Sequence, residues 1–124
     1  MKFHINDDGQ ITTRDGRIVR VSTGEVSQAY GLTSTGTNQN TALEVSGDVN
    51  VITTCASNTG VRLPVPQGGG MIRILIINKG ANALSVYPHV GGYIDANAIN
   101  VASSLAVDTP VDLVSVNGSR WYSV

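Results

Sequence analysis

Residues 71–77 read Met-Ile-Arg-Ile-Leu-Ile-Ile, and both phases of their alternation are apolar. Ile72, Ile74 and Ile76 line one face, while Met71, Leu75 and Ile77 line the other beside Arg73. By period alone a run this short also fits a buried helical segment. Its isoleucines and the preceding glycines, Gly68 to Gly70, decide for a strand. A strand that is apolar on both faces does not suit a sheet with one solvated side. It needs a second sheet on one face and a further layer, or another subunit, on the other.

The rest of the C-terminal half predicts a run of β-hairpins. ALEVS and VNVITT flank Gly47-Asp48, VRLP leads into the Pro- and Gly-rich stretch Pro64 to Gly70, and NKGAN joins residues 71–77 to ALSVY. Ala96 to Ala106 reads as loop and short strand, ended by Asp108-Thr109-Pro110. Val and Ile, 16 and 10, outnumber Leu at 7, which favours sheet over helix. The closing segments VDLVSV and SRWYSV flank Asn117-Gly118, which suits a two-residue type I′ turn. That turn places Val116 opposite Ser119, Val114 opposite Trp121 and Leu113 opposite Tyr122. One face then carries Val114, Val116 and Trp121. The other carries Val111, Leu113, Tyr122 and Val124, the expected oligomer interface or the surface under a second layer. Trp121, the single Trp, is expected as a core anchor, with an interface anchor as the alternative. The predicted fold is all-β: an antiparallel β-sandwich or jelly-roll-like domain over residues 42–124.

Residues 1–41 read differently. Asp7-Asp8-Gly9 and Asp15-Gly16 separate KFHIN, QITTR and RIVRVS, which predicts a small β-meander. Residues 22–41 are rich in Ser, Thr, Gly and Asn and sustain neither period. They read as a linker, or as an extended arm that orders on a partner through Val26, Tyr30 and Leu32. The expected organisation is an N-terminal β-hairpin arm, 1–41, followed by the β-domain.

Little chemistry is visible. The net charge is −1 with no basic stripe, so phosphate-directed nucleic-acid binding is not expected. No run of about 18 apolar residues predicts a membrane span, and MKFHINDDGQ lacks the apolar region of a leader. The single cysteine, Cys55, lies in an apolar run without a cationic neighbour and is expected as a buried small hydrophobe. His4 and His89 are expected as packing or surface residues, and Asp7 and Asp8 as turn residues. No spacing fits zinc or a calcium loop. Gly68-Gly69-Gly70 precedes a strand and lacks the Lys of a phosphate loop. No catalytic residue, cofactor site or metal site is therefore expected. Tyr87, Tyr93, Trp121 and Tyr122 are expected in packing, with a carbohydrate platform as the alternative. Charged residues are 14% of the chain, against roughly 25% in an average domain, so the surface is either Ser/Thr/Asn/Gly-rich or covered by partners.

One resemblance covers about half the chain. Leu63-Pro64, Asn78, Gly80 to Leu84, Val86 to Pro88, Gly91, Ile94, Asp95 and Trp121-Tyr122 resemble a module of tailed-phage virion proteins. The chain reads as a complete small protein, whereas fibres that carry such a module are usually longer. The resemblance then implies a capsid decoration (cement) protein. It implies binding to the major capsid protein on the outside of the head, often as a homotrimer, after synthesis in the host cytoplasm. The alternative is a receptor- or glycan-binding module of a tail or head fibre.

Overall fold

The computed structural model describes residues 27–66, 71–116 and 118–124 in full, and three short strands ahead of them as backbone. Those three, β1 (His4–Ile5), β2 (Gln10–Thr12) and β3 (Ile18–Arg20), form the antiparallel meander expected from the Asp-Gly dipeptides. Asp7, Asp8, Val26 and Gly68 to Gly70 lie outside the described residues, as does the side chain of His4.

The described chain is all-β. It continues through β4 (Gln28–Thr33), β5 (Leu43–Glu44), β6 (Val49–Thr54), β7 (Gly60–Arg62) and β8 (Ile72–Asn78). Then follow β9 (Leu84–Tyr87), β10 (Tyr93–Ile94), β11 (Ser103–Leu105), β12 (Thr109–Ser115) and β13 (Arg120–Ser123). A six-stranded sheet has the order β10-β13-β12-β8-β6-β4, and a four-stranded sheet the order β11-β9-β7-β5.

From β4 to β12 the chain changes sheet at every strand. Strands β4, β6 and β8 are parallel neighbours in one sheet, and β5, β7 and β9 are parallel neighbours in the other. Each pair of strands is thus one coil of a solenoid-like stack. The stack ends where β12 pairs antiparallel with β8 and β11 antiparallel with β9. The expected antiparallel arrangement is therefore corrected to a mixed one. Of the predicted hairpins in the body, only β12–β13 is one.

The corners explain the correction. At Asn78–Asn82 the chain leaves β8 for the opposite sheet instead of turning back beside it. Asn78, fully buried, donates from its amide to the Asn82 carbonyl (2.9 Å) and the Leu105 carbonyl (3.0 Å), and accepts from the Gly80 N–H (3.0 Å). Asn82 donates to the Cys55 carbonyl at 2.9 Å. A Cβ on Gly80 would lie 2.6 Å from the Cys55 backbone nitrogen, so only glycine lets the corner close on β6. Another buried amide, on Asn50, bonds the N–H (3.1 Å) and C=O (2.8 Å) of Gly47 at the β5–β6 corner.

One core fills the space between the sheets. Ile52, Ile74, Ile76, Leu113 and Trp121 enter it from the six-stranded sheet. Val61, Leu84, Val86 and Leu105 enter from the other. Trp121 has no exposed surface, and Cys55 is 3% exposed, both as expected.

Two further expectations change. Residues 28–33, read as linker or arm, are an edge strand of the body: β4 pairs with β6, Leu32 packs against the core, and the Ser34 hydroxyl meets that of Thr59 at 2.5 Å. The boundary drawn between residues 41 and 42 falls inside this body. The register of the closing hairpin also shifts by one residue. Leu113 pairs with Ser123, Val114 with Tyr122, and Ser115 with Trp121. A one-residue slip moves every side chain of a strand to the other face.

Deleting residues 1–26 is expected to leave a cooperatively unfolding body. Deleting residues 1–41 removes β4 with Leu32 and Ser34, and is expected to lower the thermal midpoint sharply or abolish the transition in calorimetry. Gly80→Ala is expected to cost about 1–3 kcal/mol in denaturant titration, the usual range for overpacking, because the obstructing atoms, the Cβ and backbone of Cys55, cannot swing aside.

Candidate functional site

The strongest candidate is the face of the six-stranded sheet turned away from the core. Strand registers assign it directly. Ile72, Ile74 and Ile76 of β8 face inward with Ser115, Leu113 and Val111 of β12. The opposite phase brings Arg73, Leu75 and Ile77 outward with Val114, Asp112 and Pro110. Across β6, Val49 pairs with Leu75 and Val51 with Ile77, so both valines lie outward too. Across β13, Tyr122 joins Val114. Val49, Val51, Leu75, Ile77 and Val114 are half-buried, whereas Tyr122 is 40% and Val124 75% exposed. The expected two-faced β8 is present: one face makes the core, and among the described residues no layer covers the other.

The expected interface set does not share one face. Leu113 is buried in the core and Val111 packs against it, under the second sheet. Tyr122 and Val124 lie on the outer face, because the hairpin register is one residue longer than a two-residue turn would give. In the expected arm, Leu32 is a core-packing residue while Tyr30 is 80% exposed.

On the outer face Arg73 and Asp112 neutralise each other. The Arg73 guanidinium donates from Nε to both carboxylate oxygens of Asp112 (2.9 Å each) and also from Nη2. These hydrogen bonds hold Asp112 below the usual carboxylate range and Arg73 above its ordinary value. With Asp48, Val49 and Leu75 the pair lines a shallow groove. The pair is exposed, so it adds little stability, but its own two charges cancel.

The residues that could carry chemistry serve the fold. His89 is 6% exposed, and its Nδ1 accepts the indole N–H of Trp121 at 3.1 Å. That bond fixes the proton of the neutral imidazole on Nε2. The ring lies on Gly92, where a Cβ would fall 2.5 Å from Cε1. The Cys55 thiol lies against the Ala83 carbonyl and the Thr59 hydroxyl, at 3.6 and 3.8 Å, with no base beside it. Among the described residues no group of three or more His, Cys, Asp or Glu side chains converges as metal ligands. Among the described residues no helix is long and apolar enough to cross a membrane. Of the aromatics weighed as a carbohydrate platform, Trp121 is fully buried, and the Tyr93 ring carries the Arg120 guanidinium 4.4 Å from its centre.

Sequence reasoning singled out Leu75 and Ile77 from the alternation in β8. It did not find Val49 and Val51, whose alternation with Asn50 points the wrong way: the polar residue is the buried one.

No protein-family model matches this chain, and neither does any curated protein or solved structure.

Burial pushes the His89 imidazole below its ordinary value of 6.5. The unfolded chain therefore binds a proton at a pH where the folded one does not. Stability is fully present above about pH 6.5 and falls as pH drops toward the lower folded-state value. Urea midpoints measured from pH 7.5 to 5 are expected to decline for the native protein. His89→Gln, which keeps an acceptor for Trp121 but does not titrate, is expected to flatten that decline.

Proposed function

We propose that this protein is a structural component of a tailed-phage virion. In this reading it is a decoration protein that lies on the outside of the head and reinforces the shell. The observation that carries the reading is the uncovered apolar face of the six-stranded sheet, on a body whose buried polar groups serve the fold. We read the two stacked sheets as a sandwich-type module of the kind implied by the resemblance at Asn78 to Pro88 and Trp121-Tyr122.

The mechanism is mechanical. The flat face, with Leu75, Ile77, Val114 and Tyr122 at its centre, rests on the major capsid protein. Apolar burial at about 25 cal/mol per Å² holds it there. The ion pair of Arg73 and Asp112 arrives already neutralised, which limits the desolvation cost. The N-terminal meander, β1 to β3, supplies a second contact. A homotrimer presents three such faces at once, and avidity multiplies a modest single-site affinity. Binding that spans junctions between shell subunits opposes their separation.

Gel densitometry of purified particles of the encoding virus is expected to give hundreds of copies per head. A few to a few dozen copies would favour the fibre module, and absence from particles would overturn the virion role. Leu75→Glu with Val114→Glu is expected to lower head occupancy at least ten-fold. The isolated variant should keep its fold, as judged by its thermal transition.

A further inference from the structure

We propose that the hydrogen bond between His89 and Trp121 is an acid-sensitive latch. Closed, it holds residues 88–102 against the end of the core. Protonation of His89 frees that segment while the parallel coils stay folded. The inference goes beyond the virion reading and does not rest on it.

The latch is one donor on one acceptor. The Trp121 indole N–H meets His89 Nδ1 at 3.1 Å, with Trp121 fully buried and His89 6% exposed. An indole nitrogen only donates, and an imidazolium has no acceptor on either nitrogen. A proton on His89 therefore sets two donors against each other where little water reaches them. The charged ring must leave to be solvated. It has no room to retreat inward, because it rests on Gly92 so closely that a Cβ there would fall 2.5 Å from Cε1.

Its departure takes a segment with it. Residues 88–102 are tied to one another: the Gly92 N–H donates to the His89 carbonyl (2.8 Å) and the Asn100 N–H to the Gly92 carbonyl (2.9 Å). The Gly91 N–H donates to the Asn100 side chain at 2.7 Å. The segment reaches the larger sheet through β10, whose two residues pair with β13 alone. Behind it the core is not filled. A cleft of about 210 Å³, lined by Val86, Ile94, Leu105 and Val111 among others, opens between the sheets. Sparse packing at an edge favours local opening. Strands β4 to β9 keep their own parallel pairings away from this edge.

The charged groups around the segment are engaged elsewhere. From β13, Arg120 donates to the Asp95 carbonyl and lies over the Tyr93 ring. From β10, the Asp95 carboxylate holds the Ser123 N–H and hydroxyl. On the side of Gln39, which donates to the Pro88 carbonyl, Arg62 bonds the Gln39 carbonyl and faces Glu44, and the Tyr87 hydroxyl bonds Thr37. Burial is what lowers the titration of His89. The closed form is therefore favoured above about pH 6.5, and opening grows as pH falls below it.

Hydrogen exchange read by NMR tests the latch on the full chain, from pH 7.5 to about 5, above the ordinary carboxylate range. Trp121 is the single Trp, so its indole N–H gives one signal that reads the bond itself. The Tyr93 and Asp95 amides, which donate to the Ser119 and Trp121 carbonyls, read β10. After correction for intrinsic exchange, protection of these three is expected to fall about ten-fold per pH unit below 6.5, the linkage of one proton. It should depend little on added urea, because the opening exposes little surface. The Leu75 and Lys79 amides, bonded to the Asp48 and Ile52 carbonyls in the coils, should be better protected and lose protection steeply with urea. His89→Gln keeps an acceptor for the indole and should remove the pH dependence. His4→Gln leaves His89 as the only histidine and should behave as the native chain, which decides the matter even where His89→Gln does not fold. Equal protection and equal urea slopes in the two sets would make the opening global and overturn the latch. So would a pH dependence that persists in His89→Gln or vanishes in His4→Gln.

Discussion

The architecture depends on one buried side-chain amide. Asn78 ends β8 in the middle of the larger sheet, between Ile52 and Thr109. Its amide donates to the Asn82 and Leu105 carbonyls, which lie on two different crossings between the sheets. Its carbonyl oxygen holds the Gly80 N–H, and its backbone C=O accepts the Asp108 N–H at 2.8 Å. Without that amide, the buried Leu105 carbonyl loses its donor, at about 1–3 kcal/mol, and the partly buried Asn82 carbonyl loses one too. The chain can therefore leave β8 for the other layer, and return from β11 to β12, only where this group satisfies both corners. The glycine two residues on lets the turn lie against Cys55. The coils follow from that pair of corners.

Several residues that carry the resemblance are the same residues. Asn78, Gly80 and Asn82 build the corner, Leu84 and Val86 fill the core, and Ile94 and Trp121 close its far end. Asp95 takes a positive φ of 49° and ties the end of β10 to Ser123. A resemblance carried by such residues describes a scaffold. Function on a scaffold resides in the surfaces it presents. Here that surface is an apolar sheet face, to which the residues of the resemblance contribute only Tyr122.

Much of the fold was legible in the sequence, for physical reasons that can be named. β8 declared itself because isoleucines occupy both phases of its alternation. Trp121 and Cys55 were placed inside by their surroundings, and the meander by its Asp-Gly turns. Pairing partners were less legible. A glycine-rich corner and a hairpin turn look alike when what separates them is a distant carbonyl such as that of Leu105. The parallel order of β4, β6 and β8 left no local mark. The candidate face was half legible: Leu75 and Ile77 showed in their strand. Val49 and Val51 were hidden by Asn50, a polar residue whose amide is consumed by Gly47 inside the body. A single residue in the last turn decided which face Tyr122 joined.

The strand order of the larger sheet also sets a schedule for folding. β10 pairs with no strand made before it; its partner is β13, which arrives only after β11 and β12. Ile94, held in the core by that pairing, stays uncovered in the meantime, along with the pocket that Trp121 will fill. The parallel coils can assemble as they emerge during synthesis, but this end of the molecule cannot. Until the final strand is released, the nascent chain exposes an apolar opening and an unpaired strand, the features that draw chaperones and promote misassembly. The closing of the core at this end therefore waits on the β12–β13 hairpin.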